Sequence, residues 1–233
     1  MIDSAKGCGA DAVKFQVYDP KLLLNPDSFS LSNWQSILRS ELNFGDVAVL
    51  FEHCRKAGIE FLASAFDLKR LDWLEELGVK RHKIASRSIY DKELVEAVKK
   101  TGKPYLVSMG MIEEMHKMEP IYGTWSRLAG TGGNCTFMYC VSEYPTSLSK
   151  IDFHSSIFKR VNPLSVERFD GFSDHTVGTT TAKTAIVLGA KVVEKHFTLN
   201  KHADGPDHCC SADINELWNI CDFRNDFNKL DWR

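Results

Sequence analysis

Hydrophobic and polar positions follow two rhythms along this chain. Short apolar runs rich in β-branched and aromatic residues predict strands near 11–17, 60–66, 81–86, 104–109, 135–142, 169–174 and 191–198. Between them, spacings of three and four predict helices near 45–57, 67–78, 91–101, 111–129, 149–160, 177–189 and 212–229. The 67–78 segment shows the logic. Asp67 is a good N-cap, Leu68, Leu71, Leu74 and Leu77 recur at helical spacing, and Gly78 supplies the stop. The next helix starts at Asp91 and ends at Gly102-Lys103-Pro104, where proline forces an exit. Strands alternating with helices mean parallel βαβ units. Seven strands without a Gly-rich dinucleotide fingerprint favour an α/β fold of the TIM (β/α)8 type over a Rossmann sheet.

Two segments depart from a regular barrel. The chain opens inside an amphipathic turn, with Ile2 and Ala5 ahead of Gly7, so the expectation is a barrel lacking its first strand. Residues 18–44 make a long βα connection with a helix-like stretch at 32–41, and such connections are usually lids or binding loops.

The length, 233 residues with 43% hydrophobic, suits one well-buried core, read here as a single domain over 1–233. A net charge of -2 with both signs interspersed implies no nucleic-acid-binding surface. No apolar run approaches the roughly 18 residues of a membrane span, and the first residues lack a signal-peptide core. Seven scattered cysteines, with no CxxC pair, fit reduced thiols in a cytoplasmic protein. Cys209-Cys210 reads as two small loop residues rather than as metal ligands, because no other cysteine has ligand spacing to them. Trp34, Trp73, Trp125 and Trp218 read as core or helix-packing residues.

The candidate chemistry lies at strand ends. Positions i and i+2 share a strand face, so Lys14 pairs with Gln16, Ser173 with His175, and Glu194 with His196. Each pair falls towards the C-terminal end of its strand, where barrels collect catalytic groups. Buried charge is costly unless paired or used, so three such pairs are hard to explain as packing. Glu194 has a plainer reading, as a buried partner for a lysine or a group that orients a ligand. His175 and His196 on neighbouring strands suit a catalytic metal that keeps open positions. Ser64, Ser86, Ser108, Ser142 and Ser173 recur at successive strand ends, and Lys83 lies on the strand ending at Ser86. Hydroxyls, a lysine and backbone N–H groups together make an anion site, most naturally for phosphate.

These segments, taken in order, resemble the catalytic barrel of the N-acetylneuraminate (sialic acid) synthase family, which includes pseudaminic and legionaminic acid synthases and spore-coat polysaccharide synthase relatives. The matching stretches are Gly9-Ala-Asp-Ala-Val-Lys-Phe-Gln16, Gly58-Ile-Glu-Phe-Leu-Ala-Ser-Ala-Phe-Asp67, Lys83-Ile-Ala-Ser86 and Gly102-Lys-Pro-Tyr-Leu-Val-Ser-Met-Gly-Met111. They continue with Cys140-Val-Ser-Glu-Tyr-Pro-Thr146, Gly171-Phe-Ser-Asp-His-Thr176, Gly189-Ala-Lys-Val-Val-Glu-Lys-His-Phe-Thr198 and Gly205-Pro-Asp-His208.

The resemblance implies condensation of phosphoenolpyruvate with an N-acylated amino sugar (an N-acyl hexosamine) to a nine-carbon 2-keto sugar acid plus phosphate. It implies that His175 and His196 hold a divalent metal, Mn2+ as usual in the family, with Mg2+ or Co2+ as alternatives. Lys14, Ser64, Lys83, Ser86, Ser108, Ser142 and Ser173 match positions that grip phosphoenolpyruvate, and Gln16, Tyr144 and Asp207 match positions that contact the sugar. Lys14, Lys83, His175 and His196 are the catalytic candidates. The family is typically homodimeric. Set against the family, the expectation is a chain without the first strand, with its acidic residue and Asn-His-Asn-Gly-type segment, and without the C-terminal antifreeze-like domain. Ser142 also stands where some members have asparagine. Two alternatives stay open: a non-catalytic barrel that binds phosphoenolpyruvate and metal, and a related 3-deoxy sugar-acid synthase.

Overall fold

The structure, a computed structural model, describes residues 1–28, 30–111, 128–129, 134–153, 158, 169–205 and 207–230. Among them a seven-stranded parallel sheet runs in sequence order: β1 (Ala12–Val17), β2 (Glu60–Ala65), β3 (His82–Ile84), β4 (Tyr105–Ser108), β5 (Cys135–Cys140), β6 (Gly171–Asp174) and β7 (Val192–Lys195). Around it lie α1 (Ile2–Gly7), α2 (Pro20–Leu23), α3 (Leu31–Arg39), α4 (Phe44–Ala57), α5 (Leu68–Leu77), α6 (Lys92–Lys100), α7 (Thr180–Leu188) and α8 (Ile214–Phe227). All seven expected strands are present, each trimmed by up to a few residues.

The local signals act as chemistry requires. The Asp67 side chain accepts from the Arg70 N–H, and Gly78 takes the left-handed conformation that ends α5. Asp91 caps α6 through Leu94, and Asn43 and Asp213 form capping boxes on α4 and α8. Two expectations need correction. No helix begins at 149; a 3-10 turn over Leu148–Lys150 passes into extended backbone at Ile151. Trp218 is half exposed rather than packed in a core. Most of the expected helix at 111–129 and most of the later part of that at 149–160, together with Trp125 and Pro206, lie outside the described residues.

The sheet curls. Lys14 on β1 reaches Glu194 on β7 at 2.6 Å although these strands stand at opposite ends of the strand order. Outside, α1 packs against both α4 and α8. The Arg224 guanidinium of α8 pairs with Asp11 and donates to the Gly9 carbonyl at 3.0 Å. The helix ring therefore joins across the interval between β1 and β7, where no strand pairing occurs among the described residues. The outward strand faces supply the main core, with Phe61, Ala63, Ile84, Tyr105, Val107 and Phe137 packed under the helices. The 18–44 connection folds into α2, a 3-10 turn and α3. Arg70, almost fully buried, reaches Asp19 at its start and Glu41 near its end. No helix among the described residues is long and apolar enough to cross a membrane.

Candidate active site

The lumen faces of the strands form two layers. The lower is apolar, with Leu62, Leu106 and Met138 packed beside Val192. Gly171 belongs to this layer, and a Cβ there would lie 2.9 Å from the Val192 carbonyl oxygen. Two residues onward on the same strands, the layer turns polar: Ser64, Ser108, Cys140, Ser173 and Glu194. One alternation thus supplies both a dry floor and a polar site above it.

Glu194 is the hub of the polar layer. Its Oε1 accepts from Lys14 Nζ at 2.6 Å and from Ser173 Oγ at 3.1 Å, and its Oε2 lies 3.9 Å from Lys83 Nζ. Lys83, 2% exposed at its side chain, donates to Ser108 Oγ at 2.6 Å. Burial opposes the charge of Glu194, but the two lysines outweigh it and hold the carboxyl well below the usual range. Burial brings Lys83 down to about 8, opposed by Glu194 and reinforced by Lys14. Ser86 Oγ accepts from the Gly110 N–H at 3.1 Å. The backbone at Gly110 runs so close that a Cβ would lie 2.5 Å from Ser142 Oγ. The Ser64 and Ser142 hydroxyls are buried without a partner among the described residues. Buried polar groups are nearly always satisfied, so two such hydroxyls beside two lysines are vacant hydrogen-bonding capacity for a ligand.

The histidines stand above this layer. Their rings are 5.5 Å apart between centroids, and the Tyr144 ring lies 4.1 Å from His175 and 5.9 Å from His196. His175 Nδ1 is 2.9 Å from the Val141 carbonyl oxygen. A carbonyl only accepts, so Nδ1 carries the hydrogen and the Nε2 lone pair is left free. Burial is the main reason the His175 pKa falls to about 4, and it lowers His196 as well. Both are therefore neutral near pH 7, the form that binds a metal. Asp207 Oδ2 lies 4.0 Å from His196 Nδ1. No set of three or more His, Cys, Asp or Glu side chains among the described residues is arranged to hold a metal. Two neutral imidazoles fit a divalent ion completed by non-protein ligands and do not fit a closed structural site.

The structure thus gathers Lys14, Lys83 and Ser173 on Glu194, with Ser108 bonded to Lys83, Ser64 the register partner of Lys83 on the next strand, and Ser142 against Gly110. Ser86 sits behind them, and His175, His196, Tyr144 and Asp207 lie towards the mouth. Gln16 shares the face of Lys14 and is exposed at the end of β1. Sequence reasoning left Glu194 with a supporting part and overlooked Cys140, Gly110 and the Asp174–Lys195 pair. Strand phase alone places Cys140 between Met138 and Ser142 on the lumen face, a signal that was available.

Comparison with known proteins accords with this geometry. Residues 1–230 match the NeuB family. The chain is 36% identical over 219 residues to an uncharacterised protein of Methanocaldococcus jannaschii, covering 93% of this chain and 62% of that one. It is 32% identical to the N,N'-diacetyllegionaminic acid synthase of Campylobacter jejuni, covering 95% of this chain and 68% of the relative. It therefore spans about two thirds of the length of these relatives. A crystal structure of N-acetylneuraminic acid synthetase from Leptospira borgpetersenii superposes with a TM-score of 0.81 at 27% identity, over 100% of this chain and 80% of that one. A truncated 3-deoxy-D-arabino-heptulosonate 7-phosphate synthase from Thermotoga maritima shares the fold, with a TM-score of 0.66 at 14% identity over 97% of this chain and 79% of that one.

Proposed function

The chain belongs to the NeuB family, and on that premise we propose that it condenses phosphoenolpyruvate with an N-acylated amino sugar, releasing phosphate and a nine-carbon 2-keto sugar acid. One observation carries this reading: two lysines converge on a single carboxylate beside two buried hydroxyls that lack partners. The surplus is positive, and its hydrogen-bonding capacity is unfilled, as a small polyanion requires.

In this reading Lys14 and Lys83 turn from Glu194 to the phosphate and carboxylate of phosphoenolpyruvate. Ser64, Ser86, Ser108, Ser142 and Ser173 supply the surrounding donors. The apolar floor of Leu62, Leu106 and Met138 keeps water from below. The C3 carbon of phosphoenolpyruvate forms the new bond to the open-chain sugar aldehyde carbon. Water then adds at C2, and the C2–O bond to phosphate breaks, leaving the keto group. The lysine charges stabilise the departing phosphate. A divalent metal, Mn2+ foremost, would be held by His175 and His196 and would polarise the aldehyde oxygen as a Lewis acid. Gln16, Tyr144 and Asp207, at the mouth, face the sugar.

Phosphate release from phosphoenolpyruvate by the full-length protein, measured across N-acyl hexosamines with and without Mn2+, tests the proposal. Release that needs both sugar and metal is the expected result. Phosphoenolpyruvate binding with no release for any such sugar would replace the synthase by a non-catalytic binding barrel. Release with a phosphorylated, non-acylated sugar alone would move the chain to the 3-deoxy sugar-acid synthases.

A further inference from the structure

Behind the two histidines lies a second ion pair. Asp174 precedes His175 and Lys195 precedes His196, and the two are register partners across β6 and β7. Being one residue out of phase with the histidines, they point away from the lumen. Lys195 Nζ lies 2.9 Å from Asp174 Oδ2, and the two side chains are 3% and 0% exposed. Both are hydrogen-bonded by their neighbours as well as to each other. Asp174 Oδ1 accepts from the Thr176 N–H and hydroxyl, both at 2.9 Å, and Oδ2 accepts from the Thr181 hydroxyl at 2.9 Å. Lys195 also donates to the Thr176 carbonyl at 2.7 Å.

We propose that Asp174 and Lys195 are positioning residues that set the spacing of His175 and His196. Their neighbours on the same outward face, Phe172 and Val193, pack into apolar clusters. An apolar pair would be the ordinary occupant here, and a buried ion pair adds little net stability over one. What the pair adds is direction. It joins β6 to β7 one residue before each histidine and fixes the turn that follows His175. The restraint extends to the carbonyl that sets the His175 tautomer. Thr176 bridges to Thr146, the Thr146 N–H donates to the His175 carbonyl at 2.9 Å, and the Thr146 hydroxyl donates to the Glu143 carbonyl at 2.7 Å with the Val141 carbonyl a longer 3.3 Å away. On the other strand the His196 carbonyl accepts from Ala212 N–H at 2.7 Å. Each imidazole thus hangs from a backbone held on both sides, and the pair is the side-chain link between the two strands on their outward face.

The inference rests on the metal reading of the histidines, and the test separates the two. The double variant Asp174→Asn with Lys195→Met removes the pair without stranding a charge. Mn2+ affinity is measured by calorimetry on the full-length protein, and ring 15N shifts of His175 are recorded without metal. Mn2+ affinity is expected to fall about 10- to 100-fold, and the His175 shifts to move from one Nδ1–H tautomer towards a mixture. Unchanged affinity and unchanged shifts in the folded double variant overturn the proposal. Should that variant not fold, Thr181→Val, which removes one bond to Asp174, is put through the same two measurements, and unchanged values there overturn the proposal equally. Wild-type protein whose Mn2+ binding is absent, or is indifferent to His196→Ala, overturns the metal reading instead. The metal-free shifts alone then decide whether the pair positions the rings.

Discussion

The lumen ion pair joins β1 to β7 and the outward one joins β6 to β7, so they sit back to back on β7, yet they differ in kind. Lys14–Glu194 is joined by a second lysine, is partly open to solvent, and lies beside hydroxyls with nothing to bond. Asp174–Lys195 is one to one and closed, with Asp174 accepting from Thr176 and Thr181 and Lys195 donating also to the Thr176 carbonyl. Charge in surplus with unused hydrogen bonds is poised for a ligand. Charge that is balanced and closed off from solvent acts on the backbone that carries it. Burial of ionisable groups does not tell the two apart; the count of partners does.

The contrast breaks most sharply on stability. Lys195→Met alone leaves Asp174 buried and uncompensated, and should cost about 3–5 kcal/mol in urea unfolding. Lys83→Met is expected to do the reverse. Burial already opposes its charge, so the melting temperature should hold while turnover falls ~10²–10³-fold. A large melting loss with turnover retained would make the lumen lysine structural and erase the distinction.

The pH dependence sharpens it further. Lys83, facing Glu194, Lys14 and Ser108, titrates near 8 in the folded protein against 10.5 for a free lysine. In the proposed function phosphoenolpyruvate binding needs its proton, so affinity should fall roughly tenfold per pH unit above about 8. Stability runs the other way. The unfolded chain keeps the proton to higher pH, so the contribution of Lys83 to folding grows from about pH 8 to about 10.5. Opposite slopes in a calorimetric titration and a denaturation series are the expected signature. The smallest effect belongs to Ser64→Ala. Its hydroxyl has no protein partner, so stability should be untouched while anion binding weakens by about 1.5 kcal/mol, close to tenfold.

Much of this was legible along the chain. Asp67, Gly78 and Asp91 mark element ends by local chemistry, and the structure uses them so. Strand phase placed Lys14, Ser173, His175, Glu194 and His196 on one face, because side-chain alternation survives folding. Other features left no such mark. Leu148–Lys150 has helical composition but turns only once before Ile151 extends. Glu194 reads along the chain as a buried partner for a lysine or an orienting group, but which lysines, and that there are two, emerges only when β1 curls round to bring Lys14 against it. Asp174 and Lys195 lie 21 positions apart, and the same phase rule that picks the histidines turns both away from the lumen, where they draw no notice.

The sequence by itself determined the order of strands and helices, the face each strand residue takes, and the set of groups that line the lumen. These follow from periodicity and capping, which act over a few residues. Only the tertiary structure decided which of those groups share a proton or a charge. The count of two lysines to one carboxylate, the idle hydroxyls of Ser64 and Ser142, and the clamp behind the histidines all come from curling the sheet. Curling sets distances between strands, and electrostatic and hydrogen-bonding energies depend on those distances rather than on separation along the chain.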